Sequence, residues 1–298
     1  MNITEFLGIP QGHRGIDFVD IDTAKDTLLF LDPCLIDRGE DEMSKRASSL
    51  ISDFSNRMYE DMRSGRWAYT YVFDEAHEVN DTHLGYGNGR NGKGKTPEGM
   101  RTSLNRLCSL ANEIPPIKCI QDVSVLVEDF AEDCMSDLLT NILHEMLSRF
   151  TAETMAYYQI NPAGKHQIRY WDDAGHCWAT ATTPYWAIDG RRVLLVPKWW
   201  VRKHFLFTAH QYLCRVIIER MMSEHGYLGL RKKDVWRNIE RKEEHWEYEY
   251  VIGFTREHPD ALEEYHSRML QFYDSANGCM DDDALDQAVY GHLIEETA

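Results

Sequence analysis

Two short stretches of this chain hold residue types suited to phosphate and metal chemistry. Residues 72–78 read VFDEAHE, with Glu75 and Glu78 at E-x-x-E spacing and Asp74, Glu78 and Asp81 at i, i+4 and i+7. On a helix those last three carboxylates share one face. Residues 89–96 read GRNGKGKT, carrying Arg90, Lys93 and Lys95 and satisfying the phosphate-loop pattern G-x-x-x-x-G-K-[ST]. A second acidic series, Asp129, Asp133 and Asp137, repeats every four residues and is continued by Asn141. Hard cations take oxygen ligands, commonly one or two carboxylates with waters and phosphate oxygens. The expectation is therefore a site in which Glu75, Glu78, Asp133 and Asp137 hold Mg2+ or Mn2+. The metal would activate water, and Arg90, Lys93 and Lys95 would steady the charge that develops on a phosphate ester or anhydride.

The spelling Asp74-Glu75-Ala76-His77 resembles the magnesium-binding motif of a helicase family, but the topology implied by that resemblance does not fit. A phosphate loop joins a buried strand to a helix, and a parallel crossover between strands takes about a dozen residues or more. Only EVNDTHLGYGN separates His77 from Gly89, and most of it forms strands poorly. The order is also reversed, since in that family the lysine-bearing loop precedes the acidic motif. A motor ATPase is set aside, while the carboxylates and the basic loop remain as chemistry.

Charge segregates along the chain. The formal net charge is −17, from 49 acidic against 32 basic residues, a field that repels nucleic acid except at local basic patches. Two such patches are present, 90–106 and 231–242, and they are the expected contacts for a nucleotide or nucleic acid. The run 122–137 between them is acidic without a basic residue. Trp236, with Lys233, Arg237 and Arg241 at helical spacing, suits a phosphate backbone. Pairing with the acidic run 281–286, or docking to a protein partner, is the preferred reading of that segment. Seven scattered cysteines, odd in number and never in C-x-x-C, fit reduced thiols. With no signal-like start and no apolar run of membrane-spanning length, the expected location is cytoplasmic, away from the membrane.

The elements that must position these residues read as α+β, in a single domain over 1–298 with a possible subdivision at 165/166. IDFVDI (16–21) and TLLFLD (27–32) predict short N-terminal strands. Residues 41–63 predict a helix, 79–97 a loop, and 97–112 a helix opened by Pro97. The segment 123–160 reads as helical, with Ser136 as an N-cap. Residues 166–198 read as strands turned by Asp189-Gly190, since a two-residue hairpin turn needs positive φ. Helices over 200–224, 230–248, 259–274 and 282–296 complete a helical C-terminal third.

Two further patterns are weaker. Arg220 and His225 match the R-x-x-x-x-H spacing of helical ribonucleases. Asp189 with Lys198 resembles a nuclease core, but Val196 stands where that core needs an acid. The functional expectation is a metal-dependent phosphohydrolase or nuclease-like enzyme. The alternative is a non-catalytic interaction subunit of a bacterial multi-protein system.

Overall fold

Leu50, Ile51, Phe54, Met58 and Met62 recur at helical spacing, and they form the buried face of a helix over Glu42–Arg63. Asp41 caps it. One carboxylate oxygen accepts the Ser44 N–H at 2.8 Å and the other the Ser44 hydroxyl at 2.6 Å, which satisfies a donor that the first turn leaves open. The computed structural model describes residues 1–66, 79–86, 97–128, 130–223, 227, 229–243, 245–273 and 278–295, with backbone alone at 97–103 and 292–295.

Its helices in chain order are α1 (Ile3–Leu7), α2 (Pro33–Arg38), α3 (Glu42–Arg63), α4 (Pro97–Glu113), α5 (Gln121–Leu126), α6 (Glu132–Ile142) and α7 (His144–Tyr157). The C-terminal third adds α8 (Ala209–Tyr212), α9 (Ile218–Ser223), α10 (Lys232–Ile239), α11 (Trp246–Glu257), α12 (Asp260–Met269) and α13 (Asp282–Glu295). The strands are β1 (Phe30–Leu31), β2 (Gly164–Asp172), β3 (Cys177–Ile188), β4 (Arg191–Val193) and β5 (Val201–Arg202). The fold class is α+β, with short antiparallel sheets among many helices.

β2, β3 and β4 form one antiparallel sheet, and β1 pairs with β5 in another. The β3–β4 turn is Asp189-Gly190, at φ +50° and +76°, as the Asp-Gly pair predicts. Phe54 meets Trp171 edge-on with centroids 5.0 Å apart, and the Trp171 indole N–H donates to Asp53 at 2.8 Å, so α3 covers one end of the hairpin. Buried apolar residues from Ile3 to Val289 join in one connected cluster.

Four local expectations need correction. The helix expected over 200–224 starts only at Ala209, and Val201 and Arg202 form β5 instead. Of the two N-terminal runs expected as strands, 16–21 makes only an isolated bridge. Phe18 bridges Pro197, Thr27 bridges Leu84, and only Phe30 and Leu31 form a strand, against Arg202 and Val201. Their β-branched and aromatic side chains fill the core through contacts distant in sequence, which local propensity does not specify. Ser136 is not a cap, since α6 starts at Glu132. Its hydroxyl instead accepts the Leu31 N–H at 3.1 Å inside the core. The stretch 230–248 is broken, α10 ending at Ile239 and α11 starting at Trp246. Among the described residues no helix is long and apolar enough to cross a membrane.

Candidate functional site

Glu75, Glu78, Arg90, Lys93, Lys95 and Asp129 lie outside the described residues. Asp133 and Asp137 are described: they lie half-buried on α6, in register with Asn141. The stretch 79–86, flanked in sequence by the two chemical motifs, is held on three sides. Thr27 donates its N–H to the His83 carbonyl at 2.8 Å and accepts the Gly85 N–H at 2.9 Å, while the Asp81 carbonyl accepts the Leu194 N–H at 2.7 Å. Tyr86 donates its hydroxyl to Glu132 at 2.9 Å, so the stretch also lies along α6. Asp133 and Asp137 are thus partly covered rather than fully exposed to solvent.

Gly85 has φ +138°, and a Cβ there would stand 2.8 Å from the Asp133 Oδ1. A side chain is strained at that φ whatever the space. Gly85→Ala is expected to cost about 1–3 kcal/mol, read as a lower urea midpoint, with faster amide exchange at 79–86.

Two cavities meet at this stretch. One, of 520 Å3, is bordered by Lys25, Asp26, His83, Arg191 and Arg192. The other, of 300 Å3, is bordered by Asn141, His144, His166, Arg169 and Arg192. Asn80, Asp81 and Arg192 line both, so the two form one groove. Its fixed charges are Lys25, Arg169, Arg191 and Arg192 against Asp26 and Asp81, the reverse of the whole-chain balance. Asp81 holds the Arg192 guanidinium at 3.0 Å, and the Arg192 carbonyl accepts from His83 Nε2 at 3.0 Å. His144, the first residue of α7, has its ring centroid 6.4 Å from that of His166 on β2.

His166 is unusual in this setting. Both ring nitrogens are shielded from solvent and have no hydrogen-bond partner among the described residues. Burial, reinforced by the Arg192 cation, pushes its pKa below the ordinary imidazole value. It therefore stands neutral at pH 7, the state a general base requires. Sequence reasoning missed His166, His144 and Arg192 because no spacing marks them: they converge from β2, α7 and β4.

Other candidates are occupied elsewhere. A larger groove of 750 Å3 runs along α3, but its charged groups already serve the fold. Asp53 binds Trp171 and His176, Arg57 binds Asp61, and Arg63 binds the carbonyls of Ala111 and Ile117. Arg220 is held by Asp260 at 2.6 Å and Glu264 at 2.7 Å, and His225 lies outside the described residues. Asp189 is a turn residue, and Lys198 binds Asp282 at 2.6 Å.

The basic segment 231–242 does not pair with 281–286. Arg231 binds Asp234 at 3.0 Å and Lys232 binds Glu219 at 2.5 Å. Trp236 packs against His210 and Trp246 with centroids 5.1 and 5.3 Å apart. The acidic run instead meets the N-terminal region, Asp286 binding His13 at 2.6 Å. In the patch 90–106, Arg106 binds Glu249 at 2.6 Å.

No curated protein and no solved structure matches this chain. One family model matches residues 8–208, a span that contains every residue lining the groove. The chain belongs to that family, described as a domain of unknown function (DUF8370).

Proposed function

We propose that this protein binds the phosphate of a nucleotide or nucleic acid in the groove between residues 79–86, the β3–β4 turn and the start of α7, and hydrolyses it with a divalent cation. The observation that carries this reading is the reversed charge of the groove. In a chain of net charge −17, a cavity bordered by Lys25, Arg169, Arg191 and Arg192 concentrates an anion that the rest of the surface repels. Arg191 and Arg192 would contact the phosphate, and His166 would take a proton from the attacking water. Mg2+ or Mn2+ would be held by Asp133 and Asp137 with Glu75 and Glu78. The lie of 79–86 along α6 supports that grouping.

The interaction-subunit reading draws less support. Among the described residues the exposed large apolar ones, Met1, Leu28, Tyr157, Leu230 and Leu270, are scattered along the chain, and single exposed apolar residues are normal on a protein surface.

The test is calorimetric titration with inorganic phosphate, a nucleoside triphosphate and a short single-stranded oligonucleotide, each with and without Mg2+ or Mn2+. At least one probe is expected to bind, more weakly as salt rises. Losing charge-assisted hydrogen bonds worth about 1.5–3 kcal/mol predicts a roughly 10- to 100-fold weaker Kd in Arg191→Gln/Arg192→Gln. Phosphate release should require the cation and be lost in His166→Ala. Absence of binding by every probe, or equal binding by the double variant, would overturn the reading.

A further inference from the structure

A different group of side chains gathers away from the groove, where α5 meets α12. Cys119 ends the turn before α5, Asp122 stands three residues later in its first turn, and His266 comes from α12. Asp122 is fully buried, while Cys119 and His266 are half-buried at the edge of the core. His266 Nε2 lies 2.6 Å from Asp122 Oδ1 and 3.5 Å from Cys119 Sγ. One ligand atom from each residue fits within 4.8 Å of the others.

This convergence is built by the fold. Asp122 Oδ2 accepts the backbone N–H groups of Lys118 and Cys119 at 2.8 and 3.0 Å, which leaves Oδ1 to face the imidazole. Tyr59 donates its hydroxyl to the Cys119 carbonyl at 2.9 Å, and Arg63 binds the carbonyl of Ile117. Both come from α3, so the turn is fixed from outside. On α12, Leu262, Tyr265 and Met269 are buried, and His266 shares their side of the helix. Outer hydrogen bonds that orient ligands in this way are a regular part of metal centres.

Sulfur, imidazole and a single carboxylate form a mixed donor set. Mg2+ and Ca2+ prefer all-oxygen shells, whereas Zn2+ and its neighbours take thiolate and imidazole readily. Three protein ligands with a fourth position left to water is an established zinc arrangement. The 3.5 Å between sulfur and nitrogen already suits two corners of a tetrahedron. Nitrogen and oxygen would have to part from 2.6 Å to about 3.3 Å, given metal–ligand distances near 2.0 Å.

We propose that Cys119, Asp122 and His266 bind one zinc-class divalent transition-metal ion, tying the α5 turn to the C-terminal helices. On binding, the Cys119 thiol releases its proton. The proton that Nε2 gives to Asp122 in the metal-free chain moves to Nδ1, a buried nitrogen with no hydrogen-bond partner among the described residues. The site shares no residue with the groove, so it stands independently of the phosphate reading.

The test is titration of the chelator-treated, reduced full chain with Co2+, followed by displacement with Zn2+. One equivalent of Co2+ should bind with a thiolate-to-cobalt charge-transfer band in the near ultraviolet. Zn2+ should abolish the band and raise the melting temperature in a concentration-dependent way. In Cys119→Ser the band should vanish, and in His266→Gln affinity should fall at least about tenfold, within the range seen when ligand environments are disturbed. X-ray absorption on the zinc-loaded wild type needs no variant to fold. It should give one sulfur near 2.3 Å and N/O ligands near 2.0 Å. Substoichiometric binding, an all-N/O shell, or a band that survives Cys119→Ser would overturn the proposal.

Discussion

Asp20→Ala is expected to lower the unfolding free energy by roughly 3–5 kcal/mol, taking about 1–3 kcal/mol for each buried donor left without a partner. Asp20 is fully buried. Its carboxylate accepts the Thr4 N–H at 2.7 Å, the Thr4 hydroxyl at 2.5 Å and the Tyr290 hydroxyl. Its own N–H donates to His13 Nε2 at 3.0 Å, while His13 Nδ1 meets Asp286 at 2.6 Å. That arrangement fixes His13 as the Nδ1–H tautomer. It also makes one polar knot of α1, the stretch after it and α13. Urea unfolding measures the loss. Amide exchange at 282–290 should quicken beyond the global change, because Tyr290 loses its acceptor. A cost below about 1 kcal/mol would show that the knot does not hold the C-terminal helix.

The second large effect is a dependence on pH. Asp32 caps α2, with Oδ1 accepting the Cys34 N–H at 2.8 Å and Oδ2 the Tyr273 hydroxyl at 2.8 Å. It is fully buried, and burial pushes its pKa from 3.8 up to about 7, against the opposing pull of Tyr273 and of Arg202 at 3.8 Å. The unfolded chain releases this proton near 3.8, whereas the folded chain holds it to about 7. Between those values the native state binds more protons, so stability must fall as pH rises.

The slope is about 1.4 kcal/mol per pH unit, up to about 4 kcal/mol across the window. Asp37, also raised by burial, contributes with the same sign. Asp32→Asn keeps a capable helix cap and removes this titration. Relative to wild type, the variant should gain stability steadily from pH 4 to pH 7 and level off above. Parallel pH profiles for the two proteins would refute the assignment.

How much of this was legible beforehand depends on the range of the forces involved. α3 was readable because Leu50, Ile51, Phe54 and Met58 repeat with the helical period and Asp41 supplies its own cap, both local matters. The Asp189-Gly190 turn was readable for the same reason: the backbone conformation there admits few residue types. The run 16–21 forms no strand and 27–32 forms one only at Phe30–Leu31, because a strand needs a partner and theirs, Pro197 and the Val201–Arg202 pair, lie far along the chain. Ser136 looked like a cap, but its acceptor role serves Leu31, more than a hundred residues away.

The sites divide along the same line. By itself the sequence determined which residue types were available. It set a net charge that leaves anion binding to local basic surface, carboxylates at helical spacing on α6, and cysteines without a ribbon motif. Only the tertiary structure decided which of them meet. The basic segment 231–242 turned to Asp234 and Glu219, and Arg220 to α12. Arg191 and Arg192, adjacent to an ordinary hairpin turn, came to border a groove with His166. Cys119 and Asp122 acquired His266 from 144 residues further on. Long-range convergence is set by packing of the whole core and leaves no periodicity in the chain, so no local pattern could have announced it.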